Sequence, residues 1–113
     1  MKAYGLKKCS TCQKALDFLA QKKVKVVFTD HGEVPPTKEQ VAGWSKALGG
    51  WEKMINRAGY TWRGLPKSET EDLTEAKAVA LAVKFPSLIR RPLIEHADGS
   101  VTVGFADKVK KLL

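Results

Sequence analysis

Cysteine, histidine and methionine are scarce in this sequence, with two of each among 113 residues. A structural zinc site takes four ligands, and there is no second Cys-x-x-Cys; His31 reads as a loop residue and His96 as a hairpin residue, so no resident metal is expected. Long apolar runs are also missing. No stretch approaches the ~18 apolar residues that a membrane span needs. Nor does an apolar run of ~7–15 residues follow Met1-Lys2, which argues against a secretory signal. The expected compartment is therefore the reducing cytoplasm, with no membrane partner.

Acidic side chains are few, twelve against twenty basic ones, for a formal charge of +8. Sixteen of the twenty are lysines, and no basic run exceeds two residues. No helix carries the dense basic stripe of a nucleic-acid binder, so nucleic acid is not the expected partner. The balance favours anionic partners in general, such as acidic or glutathione-like ligands, over a largely solvated surface. Internal repeats, linkers and low-complexity segments are absent. A single domain over 1–113 is expected, long enough for one modest core.

What the chain does have is Cys9-Ser10-Thr11-Cys12 near its start. Ala3-Tyr4-Gly5-Leu6 before it reads as a strand, and Cys12, Ala15, Leu16 and Leu19 after it recur at helical spacing. The cysteines therefore stand at a strand-to-helix junction. The first turn of a helix has unpaired N–H groups and a partial positive charge, which stabilise an anion. A thiolate there has its pKa lowered from ~8.5 into the range ~3.5–7.5. Cys9, at or just before the first turn, is the candidate nucleophile. Cys12 falls on the same side one turn later, within reach as a resolving thiol. A structural disulfide, a metal ligand pair and two inert packed thiols are the other readings of such a pair, and the junction favours the redox one.

In chain order, a strand at about 2–6 leads into a helix at about 11–22, whose end is complemented by Lys22 and Lys23. Val24 to Asp30, rich in β-branched and aromatic residues, is a second strand, completing a βαβ unit. Thr37 and Gln40 form a capping box for a helix at about 38–48, ended by Gly49-Gly50. Trp51 to Ile55 adds a helical turn, and Tyr60 to Leu65 is too short and Gly-broken to assign. Ser68 with Glu71 offers a further capping box. Thr74 caps an Ala-rich helix at about 75–85, stopped by Pro86. Leu93 to His96 and Val101 to Gly104 flank a turn at Ala97 to Ser100, which makes a β-hairpin. Asp107 to Leu113 closes the chain as a short helix with Val109 and Leu112 or Leu113 inward. The order βαβ, helical block, ββα predicts an α/β thioredoxin-like fold with a mixed four-stranded sheet and a helical insertion at about 35–86.

These segments resemble the arsenate reductase (ArsC) family, which includes Spx and YffB-like proteins. The likeness is carried by Tyr4 to Ala15, Asn56-Arg57, Thr61-Trp62-Arg63 and Ile89 to Ile94, and runs along essentially the whole chain. It implies that Cys9 is the catalytic nucleophile and that Arg57 and Arg91 bind the substrate or an oxyanion. Pro92 is implied to be a cis proline facing the active site, and Thr11, inside the motif, is a further substrate-binding candidate. A guanidinium suits such a role, since it keeps a neighbouring thiolate ionised and presents paired donors to an anion.

The chain also departs from the family pattern. Arsenate reductases of this family carry a third active-site arginine after the fourth strand, whereas this sequence has Val103-Gly104-Phe105 there and no arginine beyond Arg91. That departure points away from arsenate and toward the YffB-like branch. The expectation is a thiol–disulfide oxidoreductase with no bound cofactor and glutathione as co-substrate. Arsenate reductase, with glutaredoxin as a partner, and an Spx-like redox regulator binding RNA polymerase remain as alternatives.

Overall fold

In the computed structural model, which describes residues 1–113, four short strands form one mixed sheet. Strand β1 (Lys2–Gly5) leads into helix α1 (Ser10–Gln21), and β2 (Val27–Asp30) follows. The hairpin is β3 (Leu93–Glu95) and β4 (Val101–Val103), and the sheet order is β2-β1-β3-β4. β1 pairs parallel with β2, placing Gly5 opposite Asp30, and antiparallel with β3, placing Tyr4 opposite Leu93. β3 and β4 are antiparallel. This is the expected mixed thioredoxin-like sheet.

Two compact units make up the chain. One comprises Met1–Val34 with Arg90–Leu113, and the other Pro35–Ile89. The sheet unit buries Ala3, Tyr4, Cys12, Ala15, Leu19, Leu93, Ile94 and Val109. Cys12, Ala15 and Leu19 form the inward stripe of α1, as their spacing of three and four requires. Leu16, at the margin of that stripe, is only half-buried. β2 is shorter than the apolar run suggested. Its partner β1 has only four residues to pair with, and the Val24 N–H instead bonds the Leu19 carbonyl at the end of α1. Lys22 is the C-cap residue of α1 rather than part of its last turn, and its ammonium lies 4.8 Å from the centre of the Phe18 ring.

The helical unit holds α2 (Lys38–Leu48), α3 (Trp51–Met54), α4 (Tyr60–Arg63), α5 (Lys67–Thr70) and α6 (Glu75–Lys84), followed by a 3₁₀ turn at Pro86–Leu88. The capping box of α2 forms as its residues dictate. Thr37 Oγ1 accepts from the Gln40 N–H at 3.1 Å, and Gln40 Oε1 accepts from the Thr37 N–H at 2.9 Å. Gly49 ends α2 with φ +90°, a conformation in which glycine bears no Cβ penalty. Thr74 Oγ1 caps α6 by accepting from the Lys77 N–H. The capping box expected at Ser68 and Glu71 does not form. Pro66, with φ −60°, is itself the N-cap of a single turn, and Glu71 already lies at that turn's C-cap.

The segment from Tyr60, unassigned from sequence, is a helical turn closed at Gly64. The closing helix α7 (Asp107–Lys110) turns Val109 inward, while Leu112 lies beyond it and is 62% exposed. No helix of the protein is long and apolar enough to cross a membrane.

Candidate active site

The Cys motif sits where β1 hands over to α1. Cys9 is the N-cap residue of α1, with extended backbone angles (φ −79°, ψ 121°), and Ser10 opens the helix. Its N–H bonds the Leu6 carbonyl at 3.0 Å, and its own carbonyl accepts the Gln13 N–H at 3.0 Å. Both thiols are free. Cys9 is part-exposed, whereas Cys12 is fully buried.

The two sulfurs have opposite environments. Burial pushes the Cys9 thiol up, but this is outweighed by the Cys12 N–H, the Cys12 thiol, the Thr11 N–H and the Arg91 charge. The net result is a Cys9 pKa below the ordinary thiol value. The Cys9 side chain makes no full N-cap hydrogen bond, so the two N–H groups act on the sulfur chiefly through their field. For Cys12, burial dominates. The Leu6 N–H opposes it, the neighbouring Cys9 sulfur adds to it, and the Cys12 pKa is raised to about 11. The surroundings thus favour the thiolate at Cys9 and the protonated thiol at Cys12, whose S–H is turned toward the Cys9 sulfur.

Gly5 makes room for this pair. A Cβ at residue 5 would lie 2.5 Å from Cys12 Sγ and 3.8 Å from Arg91 Cβ. Arg91 is half-buried and its charge reaches Cys9, Cys12 and His31, while its neighbour Arg90 is exposed. The Arg91–Pro92 peptide bond is cis, and Pro92 is fully buried. Thr11 lies in the first turn of α1 with an exposed side chain. Arg57 belongs to the helical unit, where it is exposed and its guanidinium stacks 5.6 Å from the centre of the Trp51 ring. The sheet unit therefore gathers Cys9, Cys12 and Arg91 around one point.

Sequence reasoning missed three residues here. His31, read as a loop residue, is 2% exposed. Its ring stacks on Tyr4 with centroids 6.2 Å apart, and burial first, then the Arg91 charge, lowers its pKa to about 4 against the pull of Asp30. Asp30 and Gln13 hold the loop before Cys9. The Lys7 N–H donates to Asp30 Oδ2 at 2.7 Å, and Gln13 Nε2 donates to the Lys7 carbonyl at 2.8 Å. An acidic residue at the end of a strand that pairs with the motif's own strand was the available signal. No group of three His, Cys, Asp or Glu side chains comes together as a metal site would require.

A mixed four-stranded sheet with a Cys-x-x-Cys at the first strand-to-helix junction and a cis proline opening the third strand defines a thioredoxin-like protein with thiol chemistry. The ArsC family model matches residues 4–111, and the chain belongs to that family. A solved structure of a protein named YffB is similar at 37% identity, with a TM-score of 0.89 over 98% of this chain and 96% of that one. An arsenate reductase (ArsC) related protein from Brucella melitensis is 32% identical, with a TM-score of 0.78 over 98% of this chain and 91% of that chain. A protein of Haemophilus influenzae without an assigned function is 30% identical over 105 residues, covering 93% of this chain and 90% of its own. Family membership supports a thiol-based redox function.

Proposed function

We propose that this protein is a thiol–disulfide oxidoreductase that uses Cys9 as its nucleophile and glutathione as its reductant. The observation that carries the reading is the unequal pair: a part-exposed Cys9 held below the ordinary thiol pKa beside a buried Cys12 raised to about 11. Of the two sulfurs, Cys9 is the one whose surroundings favour the thiolate.

In the proposed cycle the Cys9 thiolate attacks one sulfur of a substrate disulfide. A Cys9–substrate disulfide forms, the original S–S bond breaks, and the other half leaves as a thiolate that takes a proton from water. A glutathione thiolate then attacks the mixed disulfide and returns Cys9 as thiolate, and a second glutathione completes the reduction with release of oxidised glutathione. Alternatively, Cys12 gives up its proton and its sulfur attacks Cys9 in the mixed disulfide, so that the Cys9–substrate bond breaks, the substrate leaves as a thiol and a Cys9–Cys12 disulfide closes. Two glutathiones reduce this to the two thiols with release of oxidised glutathione. Arg91 would steady the Cys9 charge, and Thr11, exposed in the first turn of α1, is proposed to contact an anionic substrate, whereas Pro92 is fully buried and not available to touch one. Arsenate is disfavoured because no arginine follows Arg91 to share its charge.

The test is glutathione-coupled turnover of a model mixed disulfide, run beside arsenate and beside a pull-down of RNA polymerase. Disulfide turnover that is lost in Cys9→Ser supports the proposal. Arsenate turnover that depends on Cys9, or polymerase capture without turnover, overturns it in favour of a reductase of a different substrate or a regulator.

A further inference from the structure

The peptide group of Lys7, two residues before Cys9, is held on both sides by side chains that come from elsewhere. Its N–H donates to Asp30 Oδ2 at 2.7 Å, and its carbonyl accepts from Gln13 Nε2 at 2.8 Å. Asp30 is the last residue of β2 and stands opposite Gly5, the last residue of β1. Its other oxygen, Oδ1, accepts the Gly32 N–H at 2.6 Å, so the carboxylate itself is anchored to the turn after β2. Gln13 in turn grips the loop twice, with its N–H on the Cys9 carbonyl and its side chain on Lys7. Lys7 also reaches Glu33 at 2.5 Å, but that pair is exposed, and exposed pairs contribute little.

We propose that Asp30 is a positioning residue for Cys9, acting with Gln13 through the Lys7 peptide group. The proposal rests on the reading of Cys9 as the nucleophile. The loop from Leu6 to Cys9 is a single tight turn, closed by the Cys9 N–H on the Leu6 carbonyl. Whether the Cys9 sulfur meets the first-turn N–H groups of α1 depends on the extended angles of Cys9, and those depend on where the preceding turn is tied. Asp30 is the tie from the sheet and Gln13 the tie from the helix. The Asp30 carboxyl stays ionised, because first the Lys7 N–H, and then those of Gly32 and Glu33, hold it below the usual carboxylate range. As a strong acceptor for backbone N–H groups it is matched to the task.

Charge and position make opposite predictions for this residue. Removing a negative charge near a thiolate favours the thiolate. Releasing the loop takes the sulfur away from its N–H donors and disfavours it. Cys9, Cys12 and Arg91 are the groups that face one another at the sulfur, and all three are unchanged in the variants below.

The experiment measures iodoacetamide alkylation of Cys9 against pH in the full chain, with the modified site read by peptide mass. It compares the parent protein with Asp30→Ala, Asp30→Asn, Gln13→Ala and the double variant Asp30→Ala with Gln13→Ala. The expected result is a Cys9 midpoint moved upward in Asp30→Ala, with neutral-pH alkylation slowed roughly three- to tenfold. Asp30→Asn, which keeps one acceptor oxygen while losing the charge, should fall between parent and Ala. Gln13→Ala should shift the same way, and the double variant should fall short of the sum of the two. A midpoint that is unchanged or lowered in Asp30→Ala, with Asn behaving like Ala, overturns the positioning role. Should Asp30→Ala not fold, Asp30→Asn and Gln13→Ala decide by the same criterion. A parent protein that alkylates with a free thiol's midpoint sinks the nucleophile reading instead, so the two failures are told apart.

Discussion

Gly5 and Cys12 share one space: a Cβ on residue 5 would stand 2.5 Å from the Cys12 sulfur. Real Cβ atoms essentially never stand that close, and Cys12 is fully buried, so its sulfur would have to shift within a filled interior. The last residue of β1 is therefore matched to the second cysteine of the motif, which lies one helical turn beyond the first.

Gly5→Ala should destabilise the protein by about 1–3 kcal/mol, the usual cost of overpacking a filled site. In a Cys12→Ala background the same change should cost at least about 1 kcal/mol less, because the sulfur it collides with is gone. Urea unfolding of all four proteins under reducing conditions measures the coupling. Equal costs in both backgrounds would mean that the strain lies elsewhere.

Arg91→Ala should slow Cys9 alkylation at neutral pH, by roughly two- to fivefold, since the guanidinium is one of several groups supporting the thiolate and the backbone N–H groups come first. Arg90→Ala, at an exposed position, should leave the rate close to that of the parent. A pH series of alkylation for the two variants side by side decides the matter, and equal effects would reduce the pair to solvated charge.

His31 should make the fold sensitive to acid. Its pKa in the fold is about 4 against an ordinary value of 6.5, so between these pH values the unfolded chain binds the proton that the folded one refuses. The stabilisation is complete above pH 6.5 and is lost as pH falls toward 4, amounting to about 2–3 kcal/mol between pH 7 and pH 4. Carboxylates held low, such as Asp30, also weaken the fold in acid. The contribution of His31 is therefore read as the difference in slope of unfolding free energy against pH between the parent protein and His31→Gln. Parallel slopes would remove His31 from the account.

Thr37→Ala should cost about 1 kcal/mol, because it opens the capping box of α2 at an exposed helix start where nothing else replaces the lost acceptor. Thermal unfolding of the single variant measures it, and Thr37→Ser should recover most of the loss.

Much of this protein is decided by short-range chemistry that a sequence carries openly. Cys9 lies at a helix start because an apolar strand, a glycine and a helical stripe follow one another within about twenty residues. Thr37 and Gln40 cap α2 because both partners of each bond lie three residues apart. The hairpin from Leu93 to Val103 was legible because its turn and its alternating runs are adjacent in the chain. Local signals also compete. At Ser68 a capping box is present in the letters, yet Pro66, with its preset φ, starts the turn first.

Tertiary structure alone decided that burial raises Cys12 while Arg91 supports Cys9, which side chains tie the loop before them, and where His31 lies. Lys7 and Asp30 are 23 residues apart in sequence, and Gly5 meets Arg91 only because β3 returns antiparallel beside β1. These contacts depend on strand register, and register is set by which residues the whole core must bury. A sequence states each residue's chemistry, whereas the distance between two residues far apart in it exists only after the sheet has formed.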